Sequence, residues 1–246
     1  MRGLLQAMGR FHKQRDRGGV FDCASAVELR EENTLRHSRG VESGIGVSPV
    51  TLLAVPLFPL STVLFPEGPL PLRVFEPRYL DMVSRCLRNE SDFGVVLIVG
   101  GKDTGEVETS TVGTLARIID WYQGSDGILG ITAQGTRQFR LRDVSRQADG
   151  LYLGDVELLP ELPRQALPEE FQPLATLLGS VIDDLGRLYD AVEKRYDDAA
   201  WVGCRLAEIL PMPPADKQRC LELTDSVELL KFLRPMLRPF RREKPQ

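Results

Sequence analysis

Apolar and polar residues alternate with a period near two over much of Leu52–Leu159, then recur every three to four positions after Pro160. The chain therefore reads as a strand-rich half followed by a helical one. Short apolar runs bounded by glycine, proline and polar residues predict strands at Leu52–Leu57, Leu70–Phe75, Phe93–Val99, Gly113–Tyr122, Gly127–Gln134, Arg137–Val144 and Leu151–Leu159. Gly100-Gly101 and Gln123-Gly-Ser-Asp-Gly127 read as tight turns between them. In Arg137–Val144, Phe139 and Leu141 face one way, while Gln138, Arg140 and Arg142 face the other. That places the arginines on the wet side of a half-buried strand rather than in a phosphate site. One helix interrupts the strands. Glu76-Pro-Arg-Tyr79 opens it, with proline suited to a first helical turn, and Tyr79, Met82/Val83 and Cys86/Leu87 form its apolar stripe to about Asn89.

Beyond Pro160, Leu174, Leu177/Leu178, Val181, Leu185, Leu188 and Val192 predict a long amphipathic helix with Glu169 and Glu170 near its positive end. A second helix starts at Asp197–Asp198, carries Trp201, Cys204, Ile209 and Leu210, and stops at Pro211-Met-Pro-Pro214. A third holds Cys220 and Leu221. The fourth opens on Asp225-Ser-Val-Glu228, a variant of the capping box, and runs through Leu229, Leu230 and Leu233. A helical bundle is the natural way to bury these stripes together.

Charge changes the picture at both ends. Residues 1–46 carry 8 basic and 6 acidic side chains, residues 231–246 carry 6 and 1, and residues 47–230 carry 17 and 28, a body of −11 with a basic tail. A nucleic-acid binder concentrates positive charge on its working face, so nucleic acid is not the expected partner. Residues 1–46 have no sustained apolar period and end in Gly40-Val-Glu-Ser-Gly-Ile-Gly46, which reads as a disordered arm or a mis-called translation start. Ser43–Pro66 is free of charge for 24 residues, yet Pro49, Pro56, Pro59 and Pro66 bar a membrane helix there. The organisation expected is an arm at 1–46, a β domain at 47–160 and a helical part with its tail at 161–246, all in the cytoplasm.

The chemistry the sequence permits is narrow. Both histidines, His12 and His37, precede residue 47, so the folded body has none for a Ser-His-Asp triad, a Cys-His pair or a histidine-bound metal. Cys23, Cys86, Cys204 and Cys220 are far apart, without a C-x-x-C pair, and read as reduced thiols, the last two on apolar helix faces. Val99-Gly-Gly-Lys102 lacks the upstream glycine and following hydroxyl of a phosphate loop, with Val96 and Asp103 in those places. Asp183 and Asp184 diverge by about 100° on a helix, and Asp197 and Asp198 read as helix-start residues. Lys102, Lys194, Lys217 and Lys231 stand in no Ser-Lys arrangement. No enzyme activity, metal or cofactor is expected.

A resemblance rests on residues rather than on composition. Val55-Pro-Leu-Phe-Pro-Leu60, Val63-Leu-Phe-Pro66 and Leu70-Pro-Leu-Arg-Val-Phe-Glu-Pro-Arg-Tyr79 are followed by Phe93-Gly-Val-Val96, Val112-Gly-Thr-Leu-Ala-Arg-Ile118 and Gly135-Thr-Arg-Gln-Phe-Arg-Leu141. This order, with Leu206-Ala-Glu-Ile-Leu-Pro211 in the helical part, resembles the amino-terminal substrate-binding domain of Lon proteases over roughly Leu53–Leu233. Stand-alone bacterial proteins and the Lon-like part of cereblon share the pattern. The resemblance implies an α+β fold, a PUA-like β-barrel of about six strands with one packed helix, followed by a C-terminal helical bundle. It also implies recognition of proteins: unfolded or client polypeptides, beside a protease or chaperone. The ATPase and Ser-Lys peptidase parts of Lon have no counterpart in these 246 residues. An RNA-binding PUA-like module is the alternative, which the acidic body opposes.

Candidate contacts with a partner are Phe65, Arg73, Arg78, Trp121 and Tyr122. Against that reading, Phe58, Phe65, Phe75 and Tyr79 are mostly expected to close the barrel and pack its helix. Arg78 is expected to pair with Glu76 or Asp81 or with backbone carbonyls. Trp121 and Tyr122 precede a turn and are the better candidates for exposed aromatics, since alternation sends only one of them inward. Arg234, Arg238, Arg241 and Arg242 read as the basic end of a last helix and tail.

Overall fold

A computed structural model describes residues 52–101 and 107–240, with side chains as far as Leu237. The expectations for residues 1–46, both histidines, Cys23, Lys102 and the last arginines lie outside the described residues. The described chain is a mixed α/β fold with one largely antiparallel sheet and several helices. Its strands are β1 (Leu52–Leu60), β2 (Pro69–Val74), β3 (Phe93–Gly101), β4 (Val107–Thr109), β5 (Val112–Gln123), β6 (Leu129–Arg146) and β7 (Tyr152–Leu158). Helix α1 (Pro77–Asn89) lies between β2 and β3. After a single 3-10 turn at Glu169–Phe171 come α2 (Gln172–Leu185), α3 (Ala199–Ile209), α4 (Pro214–Glu222) and α5 (Ser226–Leu233).

Antiparallel pairings join β1 to β7, β7 to β6, β6 to β5 and β5 to β3, and a parallel pairing of β3 with β1 returns to the start. β1 carries Pro56 and Pro59, which a strand with neighbours on both sides would not tolerate. The register accommodates them: β1 pairs β7 through Leu52–Leu57 and β3 only through Leu57–Leu60, so each proline has one neighbouring strand.

The two segments predicted as Gly127–Gln134 and Arg137–Val144 are one strand of 18 residues. At Gly135 β6 leaves β2, whose register ends at Gln134, and takes up β7 from Phe139. The Phe65–Gly68 turn lies against it there, with the Glu67 amide donating to the Gly135 carbonyl at 2.8 Å and the Gly135 amide to that of Gly68 at 2.9 Å. A Cβ at Gly135 would stand 2.2 Å from the Phe65 carbonyl oxygen, so this glycine marks a close approach and not a turn. Gly100 and Gly101 likewise belong to β3, where they pair with Glu108 and Val107 of β4 across a bulge. Strand β4 has too few residues for its alternation to be visible in sequence.

The long helix expected through Val192 stops at Leu185, and a 3-10 turn at Gly186–Tyr189 follows. The other starts follow their caps: Asp198 accepts from the Ala200 amide, and Asp225 from those of Val227 and Glu228. Pro77 occupies the first turn of α1, which buries Tyr79, Met82, Val83 and Cys86.

The larger core joins both halves. Val63, Phe65, Leu97 and Val112 from the strand region pack with Phe171, Leu178, Trp201, Leu206, Leu229 and Leu230 from the helices. A smaller cluster of Val55, Leu57, Val96, Leu115, Phe139 and Val156 lies among the strands. Between the two halves, Gln218 donates to the Val112 carbonyl and Gln138 to that of Leu221, both at 3.0 Å. Arg205, wholly buried, donates to the Pro66 carbonyl at 2.8 Å.

Candidate functional site

Three of the five candidates lie near the turn end of the β5–β6 hairpin, two of them on its outer face. Arg73 on β2, Gly130 on β6 and Tyr122 on β5 stand in one cross-strand row, and directly opposed side chains share a face. Gly130 has no side chain there, and the Tyr122 ring fills the space; a Cβ at Gly130 would lie 2.3 Å from that ring. Tyr122 is 52% exposed, and Phe75, two residues beyond Arg73, is 68% exposed. Arg73 pairs with Asp126 in the turn that closes the hairpin. The Ile128 amide and the Arg73 guanidinium hold the Asp126 carboxyl below the ordinary carboxylate range. Trp121 is in the neighbouring row, opposite the buried Ile131, and is half-buried. Alternation thus sends Trp121 inward and Tyr122 outward.

The other two candidates lie elsewhere. Phe65 has no accessible surface and packs in the larger core, which corrects its selection as a contact residue. Arg78 is half-buried at the start of α1, paired with Glu76 at 2.6 Å, donating to the Gly150 carbonyl at 3.2 Å and lying 4.8 Å over the Tyr79 ring. These are the partners expected for it. Phe58, Phe65 and Tyr79 are buried, as expected of most of the four aromatics, and Phe75 is the one that points to solvent.

Two features escaped the sequence. One is a polar cluster around Arg205 and Glu208 on α3, which pair at 2.8 Å with Arg205 fully buried. Tyr189 donates to Glu208 Oε1 at 2.5 Å, Lys217 donates to the Glu208 carbonyl at 2.6 Å, and Arg195 pairs with Glu67. Burial pushes the Glu208 carboxyl up, and Arg205 pulls it partly back. No period distinguishes these residues from a solvated helix face.

The other is a cavity of ≈ 390 Å³ lined by Leu57 and Pro59 of β1, Val107 and Thr109 of β4, Leu141–Val144 of β6 and Tyr152 of β7. It forms where β4 and β6 diverge, and β4 itself was not visible in the alternation.

The one hydroxyl set beside a carboxylate in these arrangements, Tyr189 on Glu208, is buried, and that burial pushes the phenol up. Burial raises the Cys204 and Cys220 thiols to about 11, leaving both protonated at neutral pH. Among the described residues no group of three or more His, Cys, Asp or Glu side chains is placed to hold a metal, and no helix is long and apolar enough to cross a membrane.

Comparison with known proteins accords with this geometry. Residues 54–238 match the family model of the ATP-dependent protease La (LON) substrate-binding domain. The chain is 27% identical over 208 residues to a Lon protease of Xanthomonas oryzae pv. oryzae, covering 74% of this chain and 22% of that one. It is 31% identical over 126 residues to protein cereblon of Danio rerio, covering 48% and 29%. The chain therefore spans under a third of the length of these relatives. The crystal structure of a Lon N-terminal domain protein from Xanthomonas campestris superposes with a TM-score of 0.62 at 37% identity, covering 74% of this chain and 98% of that one. The N-terminal domain of a Mycobacterium avium complex Lon protease shares the fold at a TM-score of 0.54 and 15% identity, covering 76% and 99%. With residues 54–238, three quarters of its length, matched by the family model, the chain belongs to the family of the Lon substrate-binding domain.

Proposed function

We propose that this protein is a non-enzymatic binding module that takes up unfolded or client polypeptides in the cytoplasm, working beside a protease or chaperone. The match of residues 54–238 to the Lon substrate-binding family carries the reading. The closed circuit of strand pairings supports a PUA-like β-barrel over 47–160, and α2–α5 support a helical bundle over 161–246. Three free buried cysteines accord with a reducing compartment. The contact surface is the outer face at the hairpin end, where Tyr122 and Phe75 present rigid apolar area beside the Arg73–Asp126 pair. Aromatic and arginine side chains are the residues that anchor protein interfaces.

The test is fluorescence anisotropy of labelled, reduced and carboxymethylated α-lactalbumin, a permanently unfolded polypeptide, titrated with the full chain. Saturable binding with a shallow salt dependence is expected. Tyr122→Ala with Phe75→Ala should weaken it by about tenfold at unchanged melting temperature. Absence of binding, or a steep salt-dependent affinity for generic RNA in its place, overturns the reading.

A further inference from the structure

The circuit of pairings closes, but β6 runs on beyond the end of β5. β5 accompanies β6 as far as the Val112–Arg140 pair, and the last bond between them is the Leu141 amide to the Thr111 carbonyl at 2.7 Å. From there to Arg146, β6 is paired with β7, and among the described residues no strand lies on the side β5 had occupied. Across a shared cavity from that edge is β4, which pairs β3 and, among the described residues, has no strand on its other side. On β4 the Val107 amide is met by a side chain, donating to the Tyr152 hydroxyl oxygen at 3.4 Å. Two edges with no neighbouring strand among the described residues thus border a seam, the ≈ 390 Å³ cavity, within the range of volumes that hold ligands.

We infer that this seam takes one extended segment of a client polypeptide as an added strand between β4 and β6. The inference rests on the polypeptide-binding reading and assigns a second site to it. Unpaired amides and carbonyls supply main-chain hydrogen bonds whatever the sequence of the guest, which suits a module that accepts many clients. Leu57, Pro59, Leu141 and Val144 give an apolar lining for every second side chain. Leu141–Arg146 matches a guest of about six residues, roughly 20 Å long.

Charge selects the guest further. Asp143 and Asp155 stand directly opposite each other on β6 and β7, and like charges so placed repel. Among the described residues neither takes part in an ion pair, whereas the neighbouring Arg142 is neutralised by Glu157. A basic side chain on the guest relieves the repulsion, so the preferred guest alternates apolar with polar residues and carries a lysine or arginine.

The probe is a fluorescein-labelled, end-blocked nonapeptide alternating valine and threonine with lysine at its centre, titrated into the full chain. Two relatives of it have glutamate at the centre or N-methyl groups on alternate backbone nitrogens. The lysine peptide should bind about tenfold more tightly than the glutamate peptide, and Asp143→Asn should cut that ratio to about threefold. N-methylation should weaken binding by about tenfold or more. Hydrogen exchange should show protection gained at 107–111 and 141–146. Equal binding of the N-methylated peptide, or protection gained at the β5–β6 hairpin end in place of the seam, overturns the inference. If no peptide binds while unfolded α-lactalbumin still does, the seam proposal falls and the polypeptide-binding reading stands. If neither binds, both fall.

Discussion

Tyr79 is buried, stacked on Phe58 with ring centroids 4.0 Å apart, and covered by the Arg78 guanidinium, whereas Phe75 four residues earlier stands in solvent. The same short block therefore contains one residue that holds the fold and one free to touch a partner. Truncating a buried aromatic leaves a cavity as well as lost transfer energy, about 3–5 kcal/mol. Tyr79→Ala should lower the melting temperature by more than 10 °C or give insoluble protein, and Phe75→Ala should leave the melt within 2 °C, roughly as for surface substitutions generally. Circular dichroism melts of the two variants decide it. This division was not legible in the sequence. Phe75 and Tyr79 are both aromatic, and only the helix start at Pro77 turns the second toward Phe58 while the strand end leaves the first outside. Trp121 and Tyr122 were legible as a pair with one member inward, because strand alternation applies to them without interruption.

At the scale of elements, what the periodicity carried was the existence of β1, β2, β3, β5, β7 and α1 and the caps of α3 and α5. What it missed depends on contacts between distant segments. Gly135 looked like the end of a strand, but its missing side chain admits the Phe65–Gly68 turn; β4 is set by its pairing to β3 rather than by its own composition. The same turn is clasped from α3 by Arg205, whose guanidinium also neutralises Glu208. Removing one member of a buried ion pair leaves an uncompensated charge and costs about 3–5 kcal/mol, while removing both costs much less. Arg205→Met should therefore be severely destabilising, and Arg205→Met with Glu208→Met should recover most of the loss. The pair also fixes a pH dependence. Burial raises the Glu208 carboxyl in the folded state, so its contribution is greatest below the ordinary glutamate value of about 4.3 and declines as pH rises through the raised value. Without Arg205 the carboxyl rises further, so urea midpoints of Arg205→Met should fall more steeply than those of the parent as pH rises above the ordinary glutamate range. Glu208→Gln in the same background should flatten that slope, and an unchanged slope would place the loss in packing alone.

On the scale of the whole molecule, the strands and helices behave as one folding unit if their shared core governs stability. Val63, Phe65, Leu97 and Val112 pack among helical side chains, and three buried or half-buried hydrogen bonds (from Arg205, Gln138 and Gln218) cross between the halves. Neither half could lose its partner without exposing that apolar surface and leaving those carbonyls unpaired, which favours a single cooperative transition. The chain carries its own reporters, since its two tryptophans are divided between the halves: Trp121 on β5 and Trp201 on α3. Trp121 is half-buried on a surface hairpin, so Trp121→Phe should cost little; Trp201 is 3% exposed and packs edge-on to Tyr196, so its replacement should cost more. Each single-tryptophan variant should nevertheless show a fluorescence midpoint in urea that coincides with its own midpoint by far-ultraviolet circular dichroism. Coincidence within one variant is independent of the stability lost to the substitution itself. A strand-half transition separated from the overall transition in the Trp201→Phe variant would mean that the strand half and the helical half unfold independently, and that the shared core and the three hydrogen bonds between them do not couple the two.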